Sequence, residues 1–298
     1  MLSSEKNKII WIASYPKSGN TWIRSIISSM LLTKTGKFNF NLLDSIKVFD
    51  IPSRYEFVKH VNKIDYKKLN DLNILSKYWL DSQKKIYKKN NHTFFKNISF
   101  FKTHSANINL DNKQFTNTDN SAGLIYIVRD PRDVVISYAK HYDKSIDTTI
   151  NNMLNDMHIL KTTEKKYPIL ISKPNLHYKS WQYLKVPKLI IKYENLLTNP
   201  QKIINEIMLF FQIFFNYNFD KHKEILENIV KTTKFKRMQN FEKKNGFNEA
   251  PYASQDKNFK ELFFRKGSSK QWVNILTPNQ IKKIESHCND LMKKFDYL

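Results

Sequence analysis

The stretch that most constrains this chain is KIIWIASYPKSGNTWIRSIISSM, residues 8–30. Ile9, Ile10, Trp11, Ile12 and Ala13 make an apolar run suited to a short buried strand, which breaks at Ser14-Tyr15-Pro16. Lys17-Ser18-Gly19-Asn20-Thr21 follows, and a helical pattern resumes from Trp22 to about Leu32. A strand feeding a helix through such a turn is the geometry that holds phosphate. Free N–H groups of the first helical turn point outward, the helix dipole favours an anion there, and a lysine adds full charge. The stretch is not a G-x-x-x-x-G-K-[ST] loop, because Lys17 precedes Gly19 and no glycine lies upstream.

The rest of the chain repeats the strand-then-helix rhythm. Ile98–Phe101 runs into Lys102-Thr103-His104. Gly123–Val128 runs into Arg129-Asp130-Pro131-Arg132-Asp133 and a helix, and Lys188–Lys192 precedes Tyr193-Glu194-Asn195. Helical spacing is read over 21–33, roughly 146–163, 175–185, Pro200–Phe211, 220–231 and 277–295, with one or two helices inside 56–90. Residues 37–55, 106–121 and 240–270 read as irregular. Neither a repeat nor a separating linker interrupts 1–298, so one domain is expected. Its class is α/β, a P-loop-like layered fold with a central, mostly parallel sheet flanked by helices. In such sheets ligands sit beyond the C-terminal strand ends, and Lys17, Lys102, His104, Arg129 and Tyr193 all fall there.

Bulk numbers bound the rest. A 298-residue chain with 41% hydrophobic residues can bury a sizeable core. Its single cysteine, Cys288, rules out an internal disulfide and fits a reducing compartment. Without a signal-like start or a run of about 18 apolar residues, a cytoplasmic protein is expected. A net charge of +23 could suit nucleic acid, an anionic membrane face or small polyanions, but the lysines are scattered in a chain equally rich in Asn and Ile. No acidic strand end or clustered Cys/His spacing suggests a metal.

Tyr15-Pro16-Lys17-Ser18-Gly19-Asn20-Thr21-Trp22 resembles the 5′-phosphosulfate loop of the cytosolic-type sulfotransferases, which use 3′-phosphoadenosine 5′-phosphosulfate (PAPS). Asn20 stands where animal members more often have Thr, as in bacterial-type variants. Arg129 with Ser137 eight residues on resembles the family's 3′-phosphate segment. Arg265-Lys266-Gly267, followed by Trp272, resembles a second clamp on that phosphate, except that Lys270 replaces a glycine and Gln271 an acidic residue. Trp22, Tyr193, Thr233 and Phe235 resemble adenine-contacting positions, and Lys102-Thr103-His104 resembles the segment whose His takes the acceptor proton.

The resemblance, spanning residues 9 to 278, implies in-line transfer of a sulfuryl group from PAPS to a hydroxyl or amine of a small acceptor. His104 would be the base, Lys17 would steady the leaving phosphate, and Lys102 would assist at the sulfuryl oxygens. The acceptor pocket is expected from 37–60, the loop after His104, 139–150 and 240–262. The family's C-terminal dimer motif is not matched, since Val273, Thr277, Pro278 and Lys282 stand at its positions, so oligomeric state is left open. Neither nucleic acid nor a membrane is the expected partner. The alternatives are a P-loop-type nucleotide kinase, which would need a Walker loop and a Mg²⁺ carboxylate, and a basic nucleic-acid-binding protein.

Overall fold

The architecture is taken from a computed structural model that describes residues 7–58, 65–86, 97–161, 163, 166–250 and 261–298. A five-stranded parallel sheet runs through the centre, formed by β1 (Lys8–Ser14), β2 (Lys47–Val48), β3 (Ile98–Thr103), β4 (Ser121–Val128) and β5 (Lys188–Lys192), in the order β2-β3-β1-β4-β5. β1, β4 and β5 read as unbroken apolar runs because both sheet faces are covered. Ile10 and Ile12 pack on one side with Ile23, Ile26 and Met30 of α1 (Asn20–Leu32). Ile9, Trp11 and Ala13 pack on the other with Phe49, Phe115 and Trp181. Trp11 is fully buried, so truncating it to alanine should cost about 3–5 kcal/mol.

Register decides where the polar strand ends meet. Ala13 pairs with Thr103, Ser14 with Ile127, and Val128 with Lys192, so the four longer strands finish on one edge. α1 leaves that edge after β1, and α2 (Pro131–His141) leaves it after β4, with Pro131 at its first position and the Asp130 carboxylate capping the Arg132 N–H at 2.9 Å. Further on come α3 (Ile146–Met153), α4 (Pro174–Gln182), α5 (Pro200–Phe215), α6 (His222–Thr232), α7 (Phe235–Asn245) and α8 (Pro278–His287).

Four segments differ from the sequence reading. The helix expected over 146–163 stops at Met153, where Asn155 turns its side chain onto the Met157 N–H, and Ile159–Leu160 then pairs with Ile169–Leu170 as an antiparallel hairpin. The segment 37–55 contains the edge strand β2, too short to show a period. The first part of 240–270 belongs to α7, while 251–260 lies outside the described residues. The C-terminal helix is two pieces, α8 and Asn289–Lys294, interrupted at buried Cys288. Of the helices expected in 56–90, Leu72–Leu75 and Trp79–Lys84 are seen, and 59–64 and 87–90 lie outside the described residues.

Candidate active site

A cavity of about 1050 Å³ opens over the C-terminal sheet edge. Lys17, Gly19, Asn20, Thr21, Trp22, Lys102, His104, Arg129, Ser137, Tyr193, Phe235, Arg265, Lys266 and Gly267 all line it. Two of the predicted residues do not. Ser18 is buried beneath the turn, and Thr233 is 2% exposed with its hydroxyl donated to the Ile229 carbonyl at 2.8 Å.

The first loop is shaped by two left-handed residues, Lys17 at φ 67° and Gly19 at φ 100°. The glycine is needed twice over. A Cβ there would lie 2.6 Å from the Tyr193 ring, and the dihedral disfavours any L side chain. Lys17 bears the same conformation at a cost of about 1–2 kcal/mol. Tyr193, first residue after β5, thus acts as a platform: it backs Gly19, meets Trp22 edge-on at 6.1 Å, and carries the Arg129 guanidinium 4.4 Å above its ring.

Arg129 ties the distant segments together. One guanidinium nitrogen donates to the Lys17 carbonyl at 3.1 Å and the other to the Ser268 carbonyl at 3.1 Å. Asp133, fully buried one turn into α2, completes the tie by accepting from the Lys270 N–H at 2.7 Å and the Trp272 N–H at 3.2 Å. Lys270 is left-handed, φ 59°, which explains why a glycine suits that position; here a lysine takes the conformation and its N–H is locked by Asp133. Gly267 lies so near Phe235 that a Cβ would sit 2.4–2.5 Å from its ring. Arg132 points away, bonded to Asp130 and Glu285 and stacked 3.7 Å over Trp272.

Crowding of cations marks this half of the cavity. Burial first, then the charges of Lys102, Arg265 and Arg129, lower the Lys17 pKa to about 7. Burial also brings Lys102 to about 8, against the nearby Glu249 carboxylate. Such a cluster destabilises itself until an anion enters, which is how a protein stores affinity for phosphates. Among the buried donors without a partner in the described residues are three at this site: the Ser18 hydroxyl, the Trp22 indole N–H and the Arg129 Nε. Orphaned donors and glycine-backed concavities beside clustered cations fit a phosphorylated nucleotide.

His104 closes β3 with a defined tautomer. Its Nδ1 lies 2.7 Å from the Ser14 carbonyl, which can only accept, so Nδ1 carries the hydrogen and Nε2 keeps a lone pair. Burial and the neighbouring Lys102 charge hold its pKa well below the ordinary range, so it is neutral at pH 7. Its own carbonyl accepts from His177 Nε2 at 3.1 Å, and His177 Nδ1 accepts from the Tyr126 hydroxyl at 2.7 Å.

Sequence reasoning missed several residues. Asp50 lines the cavity with both oxygens accepting, from Thr103 and Ser105, and burial pushes its pKa up to about 6. Glu249 accepts from Arg24 at 2.5 Å and from Thr21 at 3.3 Å, with Lys102 Nζ at 3.6 Å. Burial would raise its pKa, but Lys102 and Arg24 override that and hold the carboxyl well below the usual range. Glu249 gave no signal, lying in a stretch read as irregular. His141 and His158 line the cavity too, as do Ile159 and Leu160 of the hairpin. The loop just after His104 instead packs inward, where the Ser105 carbonyl accepts from Trp181.

Comparison with known proteins follows the same lines. Residues 7–296 match the family described as the sulfotransferase domain. The chain is 22% identical over 298 residues to cytosolic sulfotransferase 17 of Arabidopsis thaliana, covering 97% of this chain and 75% of that one. It is 26% identical over 286 residues to sulfotransferase 1B1 of Mus musculus, covering 93% and 80%. Among solved structures, mouse sulfotransferase SULT7A1 complexed with PAP superposes with a TM-score of 0.56 at 19% identity, covering 97% and 85%. Retinol dehydratase in a complex with retinol and PAP gives 0.57 at 17% identity, covering 97% and 82%. With a match to that family from one end of its sheet to the other, the chain belongs to the sulfotransferase domain family.

Proposed function

We propose that this sulfotransferase, acting as one domain in the cytoplasm, moves the sulfuryl group of PAPS to a hydroxyl or amine of a small acceptor. The observation that carries the reading is the double hydrogen bond of Arg129, which draws the lysine turn and the Arg265-Lys266-Gly267 loop to one point. PAPS supplies an activated sulfate whose bridging oxygen leaves on phosphate. Everything else is positioning and electrostatics by the chain.

Backbone N–H groups from Ser18 to Thr21, with the Thr21 hydroxyl turned from Glu249 onto the ligand, hold the 5′-phosphate at the N-terminus of α1. Arg129, Ser137, Arg265 and Lys266 take the 3′-phosphate, the arginines through paired donors. Trp22 and Phe235 border the adenine. Lys17 donates to the bridging oxygen as negative charge gathers there, and Lys102 faces the sulfuryl oxygens. His104 Nε2 removes the acceptor proton as the new S–O bond forms and the bond to the bridging oxygen breaks, releasing PAP.

Calorimetry with PAP, on wild type and Lys17→Ala, tests the donor half. Wild type should bind PAP, and the variant at least about tenfold more weakly, as befits a lost charge-assisted contact. Wild type that takes no PAP would end the reading.

A further inference from the structure

Another stretch of the cavity wall is built by the segment after α2, by α3 and by the hairpin. Lys144, Lys161 and Lys166 line it, all exposed. Among the described residues none of these lysines has a carboxylate within 4.0 Å. The carboxylates of the described cavity lining are committed elsewhere, Asp50 to the Thr103 and Ser105 hydroxyls and Glu249 to Arg24, Thr21 and Lys102.

Charge bookkeeping leaves these lysines over. A donor with one 3′-phosphate and a phosphosulfate brings about four negative charges at neutral pH. Lys17, Lys102, Arg129, Arg265 and Lys266 already face it. Lys144, Lys161 and Lys166 are additional to these, and their field is felt inside. Lys166 acts on Asp50, Lys102, His104, His141 and Glu249, and Lys144 acts on His158. Between the lysines, Ile159 and Leu160 offer an apolar bed for a carbon skeleton.

We propose that the acceptor is itself an anion, a small hydroxyl- or amine-bearing acid whose carboxylate or phosphate is held by Lys144, Lys161 and Lys166 while its nucleophile faces His104. This rests on the sulfotransferase reading above. The field of unpaired lysines draws an acid in and orients it, whereas a neutral analogue of equal shape gains only the apolar contact.

The test loads wild type with PAP and titrates matched pairs: 4-hydroxyphenylacetate against its amide, and 10-hydroxydecanoate against its amide. The acids should bind about tenfold tighter than the amides, the advantage shrinking with added salt. In the Lys144→Gln/Lys161→Gln/Lys166→Gln variant the ratio should collapse to near unity with PAP affinity intact. Equal binding of acid and amide by wild type, or a ratio that survives the triple substitution, overturns the proposal while leaving the donor reading standing. Absence of PAP binding overturns both.

Discussion

The two halves of the cavity are built on different logic. The donor half is made of strand ends and helix starts, and its loops are locked by Arg129, Asp133 and the Tyr193 platform. The acceptor half is made of the segments after α2 and β2, α3 and a short hairpin, and its lysines stand without carboxylate partners among the described residues. On the proposed reading the nucleotide is the fixed partner, so its receptor can be rigid. An acceptor varies, so its receptor sits on connecting chain that can change without disturbing the sheet.

The contrast can be broken or sharpened by experiment. The largest effect is expected at the point where the halves meet. His104→Ala should lower kcat by about 10²–10⁴-fold while PAP affinity moves less than about twofold. Near-normal turnover would remove the base from the mechanism.

Within the donor half, Asp133→Ala should uncouple the Arg265–Trp272 loop. A loss of about 1–3 kcal/mol in stability, read by denaturant unfolding, should come with weaker PAP binding. Unchanged PAP affinity would show that the loop keeps its place by other means.

Gly267→Ala is expected to cost about 1–2 kcal/mol through its dihedral and its collision with Phe235. Adding Phe235→Leu should restore part of that stability, and no recovery would leave the dihedral as the whole cause.

A separate effect is on pH. A free-enzyme Lys17 near pKa 7 is already protonated below that pH, and bound phosphates raise its pKa, so binding takes up a proton only above it. PAP affinity should therefore fall as pH rises from about 7 to 9, by at most about tenfold per unit. Lys17→Arg should flatten that slope, and calorimetry in buffers of different ionisation enthalpy would count the proton.

The same division governs what could be read in advance. The parallel sheet, α1 and the meeting of Lys17, Lys102, His104, Arg129 and Tyr193 were legible because each is local: an apolar run, a turn and a polar tip in sequence. Asp133 and Glu249 act through partners 137 and 228 positions away, which no spacing rule reports. Thr233 looked like a nucleotide contact, but its hydroxyl is satisfied by the helix that carries it. The hairpin at 159–170 was hidden because its strands are two residues each and the helical spacing before them runs on past Met153. The pocket was expected to draw on 139–150, and Lys144, Thr148 and Thr149 line it, but the part the hairpin adds carried no signal.

The two long-range hydrogen bonds of Arg129 end on backbone oxygens, at residues 112 and 139 positions away in opposite directions. A carbonyl is supplied by every amino acid, so those joints place no demand on what stands at Lys17 or Ser268 beyond bringing the main chain home. Connecting loops between them can therefore change in sequence or length without breaking the tie. On the proposed reading, the acceptor wall can be rebuilt while the same two carbonyls still close the nucleotide's receptor.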